Sequence, residues 1–309
     1  MKVSNIIKFI FFSVLIYFVW LTFKNISFID ICAAIQSIDT ITYGAAFFLM
    51  LTSTIGGQSA FFIIYIRRYF NAHNALIEII KINVALQFYT LILPGGAVAL
   101  IRHKKFLNSG LPVLKSLGVI VFYRLMLLAV SSIVAAIYIA KHSVLFMSEL
   151  DLSSEYLYTS SIFFVFLFLV LLSIVLFLLK KRGRGLIARI QGLEIFVLKP
   201  MIFSGLTVLI SLMLGALSYW LVFLSFDITF SFLDVFMLRS TIFFFQIIPF
   251  SIAGVGVREI ILAIILPIYG INETLTATIM IVVFSFQLLL GLIGGAQELF
   301  NNYKKGART

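Results

Sequence analysis

Eight stretches of this chain carry almost no charge and are long enough to leave water: residues 9–23, 41–66, 82–101, 113–140, 157–179, 203–226, 240–257 and 275–296. A helix needs ~20 apolar residues to cross the hydrocarbon of a bilayer. No water is present there to satisfy backbone N–H and C=O groups, so each such segment must close its own hydrogen bonds. An all-α integral membrane fold follows. Charged residues make up only 11% of the chain against 62% hydrophobic, and the mean hydropathy is +1.16. That is too little charge to cover a water-facing surface, so a single polytopic membrane domain over residues 1–309 is expected. The run at 9–23 follows Lys2 and Lys8 as in a signal peptide, but bulky residues stand where a small-residue cleavage site belongs. It reads as an uncleaved first span.

A net charge of +11 does not indicate nucleic acid here, because the basic residues lie in short connections between apolar runs, where membrane orientation places them. The single Cys32 cannot form an internal disulfide, and His73, His103 and His142 lack metal-ligand spacing. No cofactor or metal is expected. No nucleotide-binding glycine-lysine loop is present, which argues against direct use of ATP.

Loop charge selects between two topologies. With eight full spans the Lys and Arg residues divide ten against eleven, and orientation has no bias. If the third and seventh runs enter the membrane and return, eighteen fall on the cytoplasmic side and only Lys24, Lys141 and Arg239 outside, with Arg124 and Arg258 left within the membrane. Both of those runs contain helix breakers, Leu93-Pro94-Gly95-Gly96 in one and Pro249 through Gly256 in the other. Each break is preceded by a glutamine (Gln87, Gln246) and followed by an arginine (Arg102, Arg258). The expected architecture is six full spans plus two re-entrant broken hairpins, built as an inverted repeat of residues 1–156 and 157–309. Eight full spans with kinks is the alternative. Both termini and the Lys104–Lys105 pair are then cytoplasmic, in an inner membrane.

The most informative segment is Ser251-Ile252-Ala253-Gly254-Val255-Gly256-Val257-Arg258-Glu259. Gly254 and Gly256 permit close backbone approach, and a helix starting near Gly256 points unpaired N–H groups and a positive dipole end into the membrane. Arg258 in its first turn can grip phosphate, and Glu259 suits the dipole or a cation. The competing account is a structural ion pair. Arg124, deep in the fourth run, needs a partner too: Glu259 or a lipid phosphate, unless it snorkels to the surface. Pro94, Gly95, Gly96 and Arg102 belong to the same candidate headgroup site, although a basic loop such as 102–105 by itself is a topogenic signal. The polar centre of the second run, Thr52 to Ser59, and Gln287, Gly291, Gly294 and Gly295 of the last run are read first as close helix packing and second as the lining of a hydrophilic path.

PFSIAGVGVRE, the earlier LPGG, the arginine in the fourth run and the closing FQLLLGLIGG together resemble the transmembrane-region family of lysylphosphatidylglycerol synthases. The resemblance spans nearly the whole chain. It implies a flippase-like protein that moves or handles an anionic lipid or lipid-linked precursor. Its partners would be anionic lipids, with a second copy or a pathway enzyme as further candidates. Two positions depart from the family pattern: Ala97-Val98-Ala99-Leu100 stand before Arg102, and Tyr123 precedes Arg124 where an acid is common. Synthase activity is not expected, since only residues 297–309 follow the last run. The rival functions are a membrane-embedded transferase on lipid-linked substrates and an accessory subunit of a lipid or polysaccharide pathway.

Overall fold

The computed structural model describes residues 38–67, 75–93, 95–142, 198–246 and 257–306, with three isolated positions before residue 38. These residues fold almost entirely into helices. Helix α1 (Thr40–Leu51) is capped by Asp39, whose Oδ2 accepts from the Thr42 N–H at 2.9 Å. It passes through a π-helical turn, Thr52–Gly56, into α2 (Gly57–Ile66). Then follow α3 (Ala75–Ile92), α4 (Gly95–Asn108), α5 (Val113–Lys141), α6 (Leu198–Leu224), α7 (Phe232–Gln246), α8 (Val257–Ile268) and α9 (Glu273–Gly306). Among the described residues, five segments are long and apolar enough to cross a bilayer: 40–66, 75–92, 113–141, 199–224 and 273–301. Ile41, Phe48, Leu100, Ile137, Ile202 and Leu292 stand outward at half exposure or more, as lipid-facing side chains do. The chain is an all-α, multi-pass membrane protein. The apolar runs at 9–23 and 157–179 lie outside the described residues.

The third run is not one helix. It breaks at Leu93, and α4 doubles back along α3. Neighbouring residues of α9 demonstrate this, because Gln297 donates to the Lys81 carbonyl of α3 at 2.8 Å while Glu298 accepts from Lys105 of α4 at 2.8 Å. Helices α7 and α8 likewise lie side by side in opposite directions. His142, just past α5, touches Asp234 at the start of α7 at 3.1 Å and the Tyr269 hydroxyl, just past α8, at 3.0 Å. Both hairpins also end the same way. Gly110 and Gly270 adopt φ of 90° and 77°, and the amides of Leu111 and Ile271 close back onto the carbonyls of Phe106 and Leu266. Glycine terminates a helix there because only it enters the left-handed region without strain.

At the centre, α1–α2 and α6 run antiparallel. The Ser53 hydroxyl donates to the Ser211 carbonyl at 2.7 Å, and the Ser211 hydroxyl donates to the Ser53 carbonyl at 2.8 Å. Four residues on from each serine is a glycine that lets the other serine in: a Cβ on Gly57 would strike Ser211, and one on Gly215 would lie 3.0 Å from the Ser53 hydroxyl. The contact is reciprocal between positions 158 residues apart. Small residues bring membrane helices close enough for such bonds. Apolar cores flank this contact on either side. One gathers Phe61, Phe62, Tyr65, Phe106 and Phe122, and the other gathers Tyr219, Phe223, Leu262, Val283 and Phe286. A second close approach joins α9 to α3, where a side chain on Gly294 would strike the Val84 carbonyl and the Phe88 amide.

Candidate functional site

The start of α4 at Gly95 and the end of α7 at Gln246 come together. Two adjoining cavities open there, of about 180 and about 200 Å³. Gln58, Thr90, Gly95 and Gln246 line both. The first cavity adds Arg102 and Arg124, and the second adds Arg239 and Arg258. α4 begins at Gly95 and α8 at Val257, so two helix N-termini with their positive dipole ends lie at the junction.

Each arginine is held differently. Arg102 donates through Nη2 to Gln58 Oε1 at 2.6 Å and stacks over Phe62 with its guanidinium carbon 4.8 Å from the ring centre; its Nε has no hydrogen-bond partner among the described residues. Arg124 bonds the Gly95 carbonyl. Of the alternatives open for Arg124, the Glu259 contact is not made: Glu259 pairs with its neighbour Arg258, and Arg124 brings a charge to the first break, which has none of its own. Arg258 lies in the first turn of α8 as expected, 2% exposed, with Nε 2.9 Å from Glu259 Oε1 and a second contact through Nη2.

Arg239 is the larger correction. Loop-charge counting sets it outside, yet it is 6% exposed in the interior of α7, with its guanidinium carbon 4.0 Å from the Phe243 ring centre and 4.8 Å from that of Tyr219. Its Nε and Nη1 are buried without a hydrogen-bond partner among the described residues. Apolar residues flank it on both sides in FLDVFMLRSTIFFFQ, the same signal that marks Arg124 as intramembrane.

Of the other candidates, Gly95 lines both cavities, while Gly96 at the start of α4 has open space around its Cα. Pro94, Ser251, Gly254 and Gly256 lie outside the described residues. Thr54 and Gln58 of the polar second run, and Gln287 of α9, face the second cavity, so those segments serve both packing and lining. Gly291 and Gly294 are packing residues, against Leu91 and against the α3 backbone at Val84 and Phe88.

At the end of the bundle away from Lys105, outside the five long spans, Asp234 joins Lys141, His142 and Ser231. Burial alone would raise its carboxyl, but hydrogen bonds from Lys141, Ser231 and His142 outweigh it and hold the pKa below the ordinary value.

Comparison with curated proteins finds no match. The family described as the lysylphosphatidylglycerol synthase TM region matches residues 5–295, nearly the whole chain, with its lipid-related membrane character. Taken with the membrane-spanning helices, this places the chain in the family of lysylphosphatidylglycerol synthase transmembrane regions.

Proposed function

We propose that this protein translocates a lipid bearing an anionic headgroup, passing the headgroup through the paired cavities while the tails stay in the bilayer. The carrying observation is the set of four arginines lining the two adjoining cavities, two to each. Intramembrane arginines are costly and mark substrate paths. They are also the side chains that best match phosphate geometry. Two half-helix N-termini at the same junction add to the attraction for an anion, the arrangement that transporters use near the midplane.

The hairpins are re-entrant in this reading, each entering from one face and returning to it, and the halves 1–156 and 157–309 form an inverted repeat. The reciprocal Ser53–Ser211 contact and the matching Gly110 and Gly270 turns support that symmetry. The two cavities then serve opposite leaflets. The faces bearing Lys104 and the C-terminal end of α9 are cytoplasmic, and the membrane is the inner one.

The deciding experiment reconstitutes the purified chain in vesicles and follows exchange of a fluorescent phosphatidylglycerol between leaflets. Exchange above that of protein-free vesicles, with the lipid chemically unchanged, is expected. Chemical conversion of the lipid, or no exchange of any anionic lipid, rejects translocation.

A further inference from the structure

We infer that the headgroup carried here is a terminal, multiply charged phosphate, a phosphate monoester or diphosphate with no ammonium group of its own. The inference rests on the translocation reading and narrows its substrate. Charge counting at the junction is its basis. Four guanidinium groups line the two cavities, and among the described residues the sole carboxylate paired with any of them is Glu259, on Arg258. The site therefore holds three positive charges that the described side chains do not neutralise. The remaining polar groups of the lining, among them Gln58, Gln87, Thr90, Gln246 and Gln287, are uncharged.

A phosphodiester headgroup brings one negative charge and leaves two arginines uncompensated in a region that water solvates poorly. A zwitterionic or aminoacylated headgroup is worse matched. It brings an ammonium, and no described carboxylate is free at the junction to receive it. A monoester near its second ionisation carries about −1.5 to −2 charges, and a diphosphate carries more. Such a group presents enough oxygens to engage both arginines of one pair at once, each by charge-assisted bonds.

Arg239 makes the case specific. Its aromatic contacts with Phe243 and Tyr219 fix the guanidinium beside the second cavity, yet two of its buried nitrogens find no acceptor among the described residues. A structural arginine at this depth would be expected to hold a carboxylate or a carbonyl, as Arg258 and Arg124 do. Arg239 is thus the substrate-binding residue that gives the second cavity its second charge, matching Arg102 and Arg124 in the first.

The test uses the full chain in vesicles of neutral lipid doped separately with four probes: geranylgeranyl diphosphate, phosphatidic acid, phosphatidylglycerol and lysyl-phosphatidylglycerol. Binding is read by thermal protection in matching micelles, and transfer by leaflet exchange. Tighter binding of the first two by at least about tenfold over phosphatidylglycerol is expected, with lysyl-phosphatidylglycerol weakest. Comparison of the diphosphate with phosphatidic acid decides which of the two chemistries is preferred. In Arg239→Gln that preference should collapse toward equality, while Arg239→Lys, which keeps the charge, should retain part of it. Equal handling of phosphatidylglycerol and the multiply charged probes by the wild-type chain overturns this inference and leaves translocation standing. Exchange of none of the four sinks translocation itself, and the substrate class with it.

Discussion

Arg258 and Glu259 form a buried pair whose members are 2% and 12% exposed in their side chains, so removing one charge strands the other. Breaking such a pair costs about 3–5 kcal/mol, whereas removing both members is far milder. Arg258→Gln should therefore lower the thermal midpoint, and Arg258→Gln with Glu259→Gln should recover most of it. Stability is only half of the question. If the guanidinium also grips phosphate, Arg258→Lys keeps the charge but loses the planar fork, and leaflet exchange per folded molecule should fall by roughly tenfold, about 1.4 kcal/mol of headgroup binding. Normal exchange by a well-folded Arg258→Gln chain would leave this residue to the scaffold alone. Gly294 offers a contrasting case, because nothing about it concerns charge. A methyl group there meets the Val84 carbonyl and, 2.8 Å away, the Phe88 amide, both backbone atoms that cannot rotate aside. Gly294→Ala should cost about 1–3 kcal/mol of stability through overpacking. Gly96→Ala, with open space at its Cβ, should cost far less, and unfolding midpoints measured side by side check the pair.

At the scale of elements, the α7–α8 hairpin is tied at its outer end by Asp234, His142 and Tyr269. Asp234 has a pKa below its ordinary value, so its contribution is present at neutral pH and above the unfolded-state pKa. It is lost as the pH falls through the lowered folded-state value. Asp234→Asn should destabilise the chain by on the order of 1 kcal/mol at pH 7, given a partly exposed network. The difference from wild type should shrink in acid below the carboxylate range, as unfolding curves at the two pH values would reveal. A constant difference at both would remove the carboxylate from the account. The opposite hairpin has its own tie in Lys105 and Tyr89, both bonded to Glu298. Its location on α9 rather than α5 shows that the two halves, alike in their breaks and turns, differ in how their ends are fastened.

For the molecule as a whole, the doubling back of both hairpins puts Lys104 and Tyr303 at one end of the bundle and Ser231 and Glu273 at the other. All four are exposed. Single cysteines at these positions in a Cys32→Ser background should divide two and two in their reaction with an impermeant reagent. Labelling of positions 104 and 231 from the same face would dismantle the re-entrant arrangement. Sequence by itself determined the membrane class, because charge-free runs of that length have no other stable environment. It also located the break after Leu93, where a proline that removes a backbone donor is followed by two glycines that ease a sharp reversal. Placing Arg258 in the first turn of a half-helix required only the Gly-Val-Gly that precedes it. Partners and depth needed the tertiary structure. Arg239 looks like a loop charge when residues are tallied along the chain, and only the packing of α7 against α6 puts it between Tyr219 and Phe243. Arg124 has several candidate partners by composition, and it bonds a backbone carbonyl that no pattern of side chains advertises. The reciprocal Ser53–Ser211 contact depends on two segments 158 residues apart crossing at the right height. Local chemistry fixes where a membrane chain breaks and what it can bury, whereas the alignment of distant helices decides which buried charges share a cavity.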